Sequence, residues 1–225
     1  RTEAATASLI AHWTFDESSR TTAKDVVSSQ VATLRGGASF VPGKHGNAVS
    51  VGPVDTDHVA LPLISGLNSG EGSVAFWFKT STRRDEQMIW YASRDTAGNG
   101  RGSEAEMQMS LTAKGRLYFF IEGSPGDDAR METRKAYVDD QWHHVVATWK
   151  DGGKAVLYVD GAAVKSGADN AGSFDVVGRH FLGRPAANGT DRVYSGAIDE
   201  LRIYTIALGE AEAISLFSAD AGPKD

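Results

Sequence analysis

The chain has 225 residues, is 41% hydrophobic, and carries a net charge of −6 from 29 acidic and 23 basic side chains. That length suits one large all-β domain or two small ones, and no linker-like stretch divides it. With no cysteine there is no disulfide and no thiolate metal site; no apolar run reaches the roughly 18 residues of a membrane span, and no basic block exists to displace counterions from nucleic acid.

The 25 glycines recur between apolar runs, as a turn-rich β protein requires. Residues 1–8 read as a frayed polar lead-in. Leu9–Phe15 alternates, with Leu9, Ala11, Trp13 and Phe15 on one face, and stops at a polar turn from Asp16 to Ser19. Asp25–Leu34 reads as a loop feeding a short strand. Gly36–Gly52 reads as a strand, a Pro42-Gly43 turn and a second strand through Ala48 to Val51. His58–Leu63 is a short strand whose Pro62 predicts an edge or a strand end. Ser73–Thr80 sets Val74, Phe76 and Phe78 opposite Ala75, Trp77 and Lys79, and Met88–Ser93 follows as another strand. Asp95–Ser103 is a glycine-rich loop long enough to be functional.

Glu106–Thr112 sets Met107, Met109 and Leu111 against Gln108, Ser110 and Thr112. After a Lys114-Gly115 turn, Arg116–Glu122 sets Leu117, Phe119 and Ile121 against Tyr118, Phe120 and Glu122. A polar loop spans Gly123–Arg130. Trp142–Trp149 then pairs with Ala155–Val159 through Asp151-Gly152-Gly153-Lys154, a hairpin turn rich in residues that reach positive φ. Phe181–Arg184 is a short strand, Pro185–Tyr194 a loop and Ser195–Tyr204 the last strand. Ala207–Phe217 alone has helical spacing, with Leu208, Ala211, Ile214 and Phe217 on one side, and is expected to seal one end of a sandwich. Gly222–Asp225 reads as the start of a linker. About a dozen short alternating strands with glycine turns predict a two-sheet or closed antiparallel architecture.

Three stretches carry a family resemblance. His12-Trp13-Thr14-Phe15-Asp16-Glu17, the hairpin Trp142-His143-His144-Val145 with Leu157–Gly161, and Gly196–Tyr204 followed by Ala207-Leu208 resemble the first strand, central hairpin and closing strand and helix of the laminin-G-like jelly roll in the concanavalin A-like lectin/glucanase superfamily. The resemblance covers residues 9–218 as one domain, with flexible ends at 1–8 and 219–225. It implies an all-β antiparallel sandwich with one short C-terminal helix. The same fold serves carbohydrate binding, adhesion and glycan cleavage, so function must be argued from the site.

Members of that superfamily often hold one structural calcium where the first and last strands meet. The resemblance therefore implies a site at Asp16, Gly46 and Asp199, supplying the oxygen ligands a hard cation prefers. The alternative is that both aspartates cap turns. Glycoside hydrolysis needs two carboxylates across the scissile bond; the nearest match to the family's glucanase strand is Glu104-Ala105-Glu106, which lacks its aspartate and distal glutamate. A lyase of this fold would need a Tyr/His pair with Arg and Gln. Gln108, Tyr118, Arg134 and His144 are the right types without a surrounding signature.

A saccharide site stacks aromatic rings on sugar C–H faces beside polar forks. The outward sets of the middle strands and the nearby runs offer Lys79, Gln108, Tyr118 and Glu122, then Trp90, Tyr91, Arg94 and Arg134. Trp77 and Trp142 are expected in packing. The arginines point to an anionic sugar, because guanidinium matches carboxylate and sulfate bidentately. The expectation is a non-catalytic carbohydrate-binding module, stabilised by calcium and binding a polysaccharide or oligosaccharide. Its ends read as cuts from a secreted or cell-surface bacterial polysaccharide-degrading enzyme with a neighbouring catalytic domain. The rival expectations are a protein-interaction or spacer domain, and a lyase or hydrolase with an atypical site.

Overall fold

Alternating apolar residues with glycine turns build sixteen strands, seen in a computed structural model that describes residues 8–17, 21–94, 106–122, 128–185 and 192–220. In chain order they are β1 (Leu9–Trp13), β2 (Thr22–Lys24), β3 (Val31–Arg35), β4 (Ser39–Pro42), β5 (Asn47–Val51), β6 (His58–Ala60), β7 (Glu71–Lys79) and β8 (Gln87–Ser93). There follow β9 (Glu106–Leu111), β10 (Arg116–Ile121), β11 (Ala129–Ala136), β12 (His143–Lys150), β13 (Gly153–Val159), β14 (Ala162–Asp169), β15 (His180–Leu182) and β16 (Gly196–Tyr204). The helix α1 (Glu210–Asp220) comes last among the described elements.

The strands form two antiparallel eight-stranded sheets. The first runs β14-β13-β12-β7-β16-β5-β4, with β1 also paired to β16; the second runs β11-β10-β9-β8-β15-β6-β3-β2. The central hairpin pairs Val145 with Val159 and Ala147 with Leu157, and Gly152 takes φ 68° in its turn. Val145, Ala147 and Trp149 face the other sheet; Met107, Met109, Leu117 and Phe119 answer them from β9 and β10. Phe119 and Trp149 stack across the core with ring centroids 5.8 Å apart. The Trp149 indole N–H donates to the Asn68 carbonyl at 3.1 Å. Gly72 is required beside it, since a Cβ there would sit 2.6 Å from the indole.

Several elements depart from the sequence reading. The loop and short strand expected at Asp25–Leu34 are present, the strand being β3, but β2 before them was not expected, and Asp25 is wholly buried. Its carboxylate accepts the N–H groups of His12, Val27 and Ser28 at 2.7, 2.9 and 3.0 Å. β6 ends at Ala60, before Pro62, but lies between β15 and β3, so it is not an edge. Strands β11 and β14 had not been expected. Both are sheet edges with charged or small outward residues, which weakens the apolar half of the alternation. Helix α1 begins three residues later than Ala207 and buries Ala213 while Ile214 is 44% exposed. It covers the outer face of the first sheet, against Ala75, Val146 and Tyr158, and does not seal an end. The expected loops Asp95–Ser103, most of Gly123–Arg130 and most of Pro185–Tyr194 lie outside the described residues. So do residues 1–7 and Gly222–Asp225.

His143 ties the hairpin to its approach. Its ring nitrogens lie 2.8 Å from Asp160 and 3.0 Å from Asp139. Burial pulls its pKa down, but the hydrogen bonds to Asp160 and Asp139 outweigh it and hold the imidazole above its usual 6.5. Stability from this imidazolium is therefore complete below the unfolded pKa and is lost as pH rises through the folded one. Denaturant titrations above pH 6.5 should show that loss, and His143→Gln should flatten it. Truncating the other anchor, Trp149→Ala, should cost about 3–5 kcal/mol in the same assay.

Candidate functional site

The outer face of the second sheet is set by what its strands bury inward. On β9 and β10, Met107, Met109, Leu117 and Phe119 occupy the core, so Gln108, Ser110, Tyr118 and Phe120 point out. Register aligns them: Gln108 pairs with Tyr91 and Phe120, and Ser110 with Met88 and Tyr118. A bulge in β8 between Met88 and Trp90 turns both Ile89 and Trp90 inward while Met88 and Tyr91 face out.

Gln108, Ser110, Tyr118 and Phe120 line an open groove of about 420 Å³, joined by Glu86, Glu106, Arg130, Glu132 and Arg192. Tyr118 is half-buried, and Phe120 lies beside it with centroids 6.1 Å apart and planes 20° apart. Arg130 covers Phe120 at 5.1 Å from the ring centroid. Gln108 donates to Glu86 at 3.3 Å through Nε2, while its Oε1 and the Ser110 hydroxyl are buried without a hydrogen-bond partner among the described residues. Unsatisfied buried polar atoms are costly, and here both belong to side chains that line the groove.

Both arginines of the groove, and its Glu86 and Glu132, are in ion pairs. Arg130 pairs with Asp128 at 2.6 Å, Arg192 with Glu86 at 3.2 Å and Arg116 with Glu132 at 3.4 Å. Burial raises the Glu106 pKa, against a hydrogen bond from Tyr91. Burial likewise raises Tyr118, against the nearby Arg130 charge. Glu86 has both oxygens engaged, by Gln108 and Arg192. That leaves it poorly placed to exchange protons with a substrate.

The expected site residues divide. Gln108 and Tyr118 meet in the groove. Tyr91 lies beneath it, 4% exposed, as the hydrogen-bond partner of Glu106. Glu122 continues β10 beside Glu106, its N–H donating to the Glu106 carbonyl at 2.8 Å. Trp90 is fully buried and is corrected to a core residue; its indole N–H donates to His180 Nε2 at 2.7 Å. Burial holds that imidazole neutral, with a pKa near 3, as an acceptor must be. Lys79 is on the first sheet, 3.7 Å from Asp140. Arg94 is exposed just past β8 and does not line the groove. Arg134 lines a different groove. The set suited to a lyase is therefore not assembled: His144 is 1% exposed in the first sheet, near Trp77 and Phe217. Glu104-Ala105 lies outside the described residues. Phe120, Glu86 and Arg192 were missed. Phe120 was legible from its parity with Tyr118, whereas Glu86 and Arg192 come from loops.

Asp16, Gly46 and Asp199 do come together, around the turn joining β4 to β5. Asp199 is fully buried, and its Oδ2 accepts the His45 N–H at 2.9 Å. Asp16 Oδ1 accepts the Asn47 N–H at 3.0 Å. A Cβ on Gly46 would fall 2.0 Å from Asp16 Oδ1, so glycine is required there. The backbone has positive φ at Phe15 (59°), Gly46 (47°) and Glu200 (55°), conformations that non-glycine residues adopt at a cost. Asp199 Oδ1 is buried without a partner among the described residues, and burial raises this carboxyl's pKa to about 7. Among the described residues no three acidic or histidine side chains converge as a metal centre. An oxygen-seeking cation would therefore rely on Asp16, Asp199 and main-chain carbonyls of the turn.

A family model for the concanavalin A-like lectin/glucanases superfamily, of laminin-G type, matches residues 53–213. The chain belongs to this superfamily. The binding domain of Paraclostridial Mosquitocidal Protein 1 aligns with TM-score 0.76 and 16% identity over 95% of this chain and 52% of that one. Domain 4 of AbnA, an extracellular arabinanase from Geobacillus stearothermophilus solved in complex with arabinotriose, aligns with TM-score 0.66 and 24% identity over 93% and 98%. A Trypanosoma rangeli sialidase in complex with the inhibitor DANA aligns with TM-score 0.69 and 15% identity over 93% and 32%. This chain thus spans about half of the mosquitocidal binding domain and a third of the sialidase. At these identities the likeness is one of fold. No curated protein sequence matches the chain.

Proposed function

We propose that this domain is a non-catalytic carbohydrate-binding module and that the groove over β8–β10 takes a saccharide. The observation that carries this is the pairing of a half-exposed Tyr118, backed by Phe120, with the unpartnered Gln108 Oε1 and Ser110 hydroxyl. An aromatic ring offers a flat apolar platform with a polar tip, and ligand hydroxyls would satisfy the orphaned oxygens. Because the groove's arginines already have carboxylate partners, its ligand is a neutral sugar. The likeness to an arabinanase domain solved with arabinotriose supports this reading. We place the module in a secreted bacterial polysaccharide-degrading enzyme, where a tether would raise the catalytic domain's effective concentration at its substrate.

Calorimetry against neutral oligosaccharides, arabinotriose among them, tests the site. Tyr118→Ala should weaken binding about tenfold or more, equivalent to roughly 1.4 kcal/mol, and Gln108→Ala should weaken it without altering the melting temperature. No binding at millimolar concentration, or binding indifferent to both changes, would remove the support for the groove.

Calcium is the second part of the proposal. Asp16 and Asp199 carboxylates with turn carbonyls near Gly46 would hold it, and its charge would neutralise the buried Asp199 oxygen. It would tie β1 and β16 to the turn between β4 and β5. Adding a chelator should then lower the melting temperature, and Asp199→Asn should abolish that response. A metal-free protein whose melting ignores chelator and added calcium would exclude the ion.

A further inference from the structure

Strands β11 and β14 are the edges of their respective sheets, and on this side of the sandwich they lie together. A Cβ at Gly167 on β14 would be 3.8 Å from the Arg130 carbonyl oxygen on β11. Along this seam runs an open groove of about 500 Å³. Its charged lining residues are Arg134, Lys154 and Lys165, with Ser166 beside them and Val156 and Val164 among its apolar walls. Among the described residues no acidic side chain lines it. Among the described residues none of the three cations forms an ion pair, whereas Lys79, Arg116, Arg130, Lys150, Arg192 and Arg202 each do.

Three unpaired cations facing one groove stand out in a chain of net charge −6. Edge strands often carry lysine to block pairing with other chains. That accounts for Lys165 on β14 and for a charge at Arg134 on β11, but not for Lys154 on the interior strand β13. Like charges held together repel, and a bound anion removes the repulsion.

We propose that this seam is a second binding site, one for the carboxylate or sulfate groups of an anionic polysaccharide. The inference rests on the carbohydrate-binding reading but uses a different surface. Arginine can bind carboxylate or sulfate bidentately while the lysines act as point charges, and Val156 and Val164 offer C–H surface to sugar rings. Nucleic acid fits less well, because the described residues lining this groove include no aromatic ring on which bases could stack. The two grooves meet at β11. Arg130 and Glu132 line the first and Arg134 the second, and Arg130 and Arg134 are about 13 Å apart along the strand at the usual rise per residue. A polymer crossing β11 would reach both, with neutral rings at Tyr118 and an acidic substituent at the seam.

Calorimetry tests this with three probes: a polygalacturonate oligosaccharide, a sulfated heparin-derived oligosaccharide and a neutral arabino-oligosaccharide. Wild type should bind at least one anionic probe, more weakly as salt rises. The double change Lys154→Glu with Lys165→Glu should weaken that binding tenfold or more and leave the neutral probe unaffected. Arg134→Glu should do the same from the opposite wall, which guards against a folding defect in either variant. Tyr118→Ala should show the converse pattern, so loss of the first site and loss of the second are separable. Three results would overturn the proposal: no anionic probe binding at millimolar concentration, binding indifferent to all three charge reversals, or single-stranded DNA or anionic vesicles binding more tightly than either anionic probe.

Discussion

A one-residue slip of β9 against its neighbours would bury Gln108 and Ser110 and expose Met107 and Met109. Everything proposed for the outer face depends on that slip being prohibited. The penalty is large because Met107, Met109, Leu117 and Phe119 interlock with Val145, Ala147 and Trp149 of the opposite sheet, and strand side chains repeat with a period of two. The core thus sets the orientation of Tyr118 and Gln108 more firmly than any contact they make themselves. The first sheet cannot serve the same purpose. Over β7, β12 and β16 its outer face is occupied by Leu208 and by α1, which brings Phe217 against Trp77.

That alternation was also the part of the molecule most legible in the sequence. β7, β9, β10 and β12 have regular apolar spacing, and the alternate sets read from it fall on opposite faces of their strands. Other features failed for identifiable reasons. In β8 a bulge breaks the period, so Trp90 turns inward and its indole is satisfied by His180. Parity along one strand could not reveal that Lys79 belongs to the opposite sheet from Gln108, because sheet membership depends on long-range pairing. β11 and β14 were missed because their outward positions are charged or small. The helix was found, but its buried face was displaced toward Ala213 because Ile214 stays in solvent.

Charge is partitioned between the two grooves. Around Tyr118, Arg130 and Arg192 each have a carboxylate partner, which is the ground for proposing a neutral sugar there. At the β11–β14 seam Arg134, Lys154 and Lys165 form no ion pair among the described residues. The sequence reading assigned Arg94 and Arg134 to a single site, whereas Arg134 lines the seam and Arg94 lines neither groove. The Asp16–Gly46–Asp199 cluster depends on a third kind of information. Positive φ at Phe15, Gly46 and Glu200 brings parts of the chain distant in sequence onto one turn, and only the family resemblance indicated that they would meet.

The central claim is that the outer face of the second sheet holds saccharide without cutting it. An NMR titration of the labelled domain with a neutral oligosaccharide, following protein and sugar signals together, tests both halves at once. The account predicts shifts concentrated at Gln108, Ser110, Tyr118 and Phe120, with the sugar spectrum recovered unchanged after dilution. Shifts confined to other surfaces, or the appearance of shorter sugars over time, would contradict it.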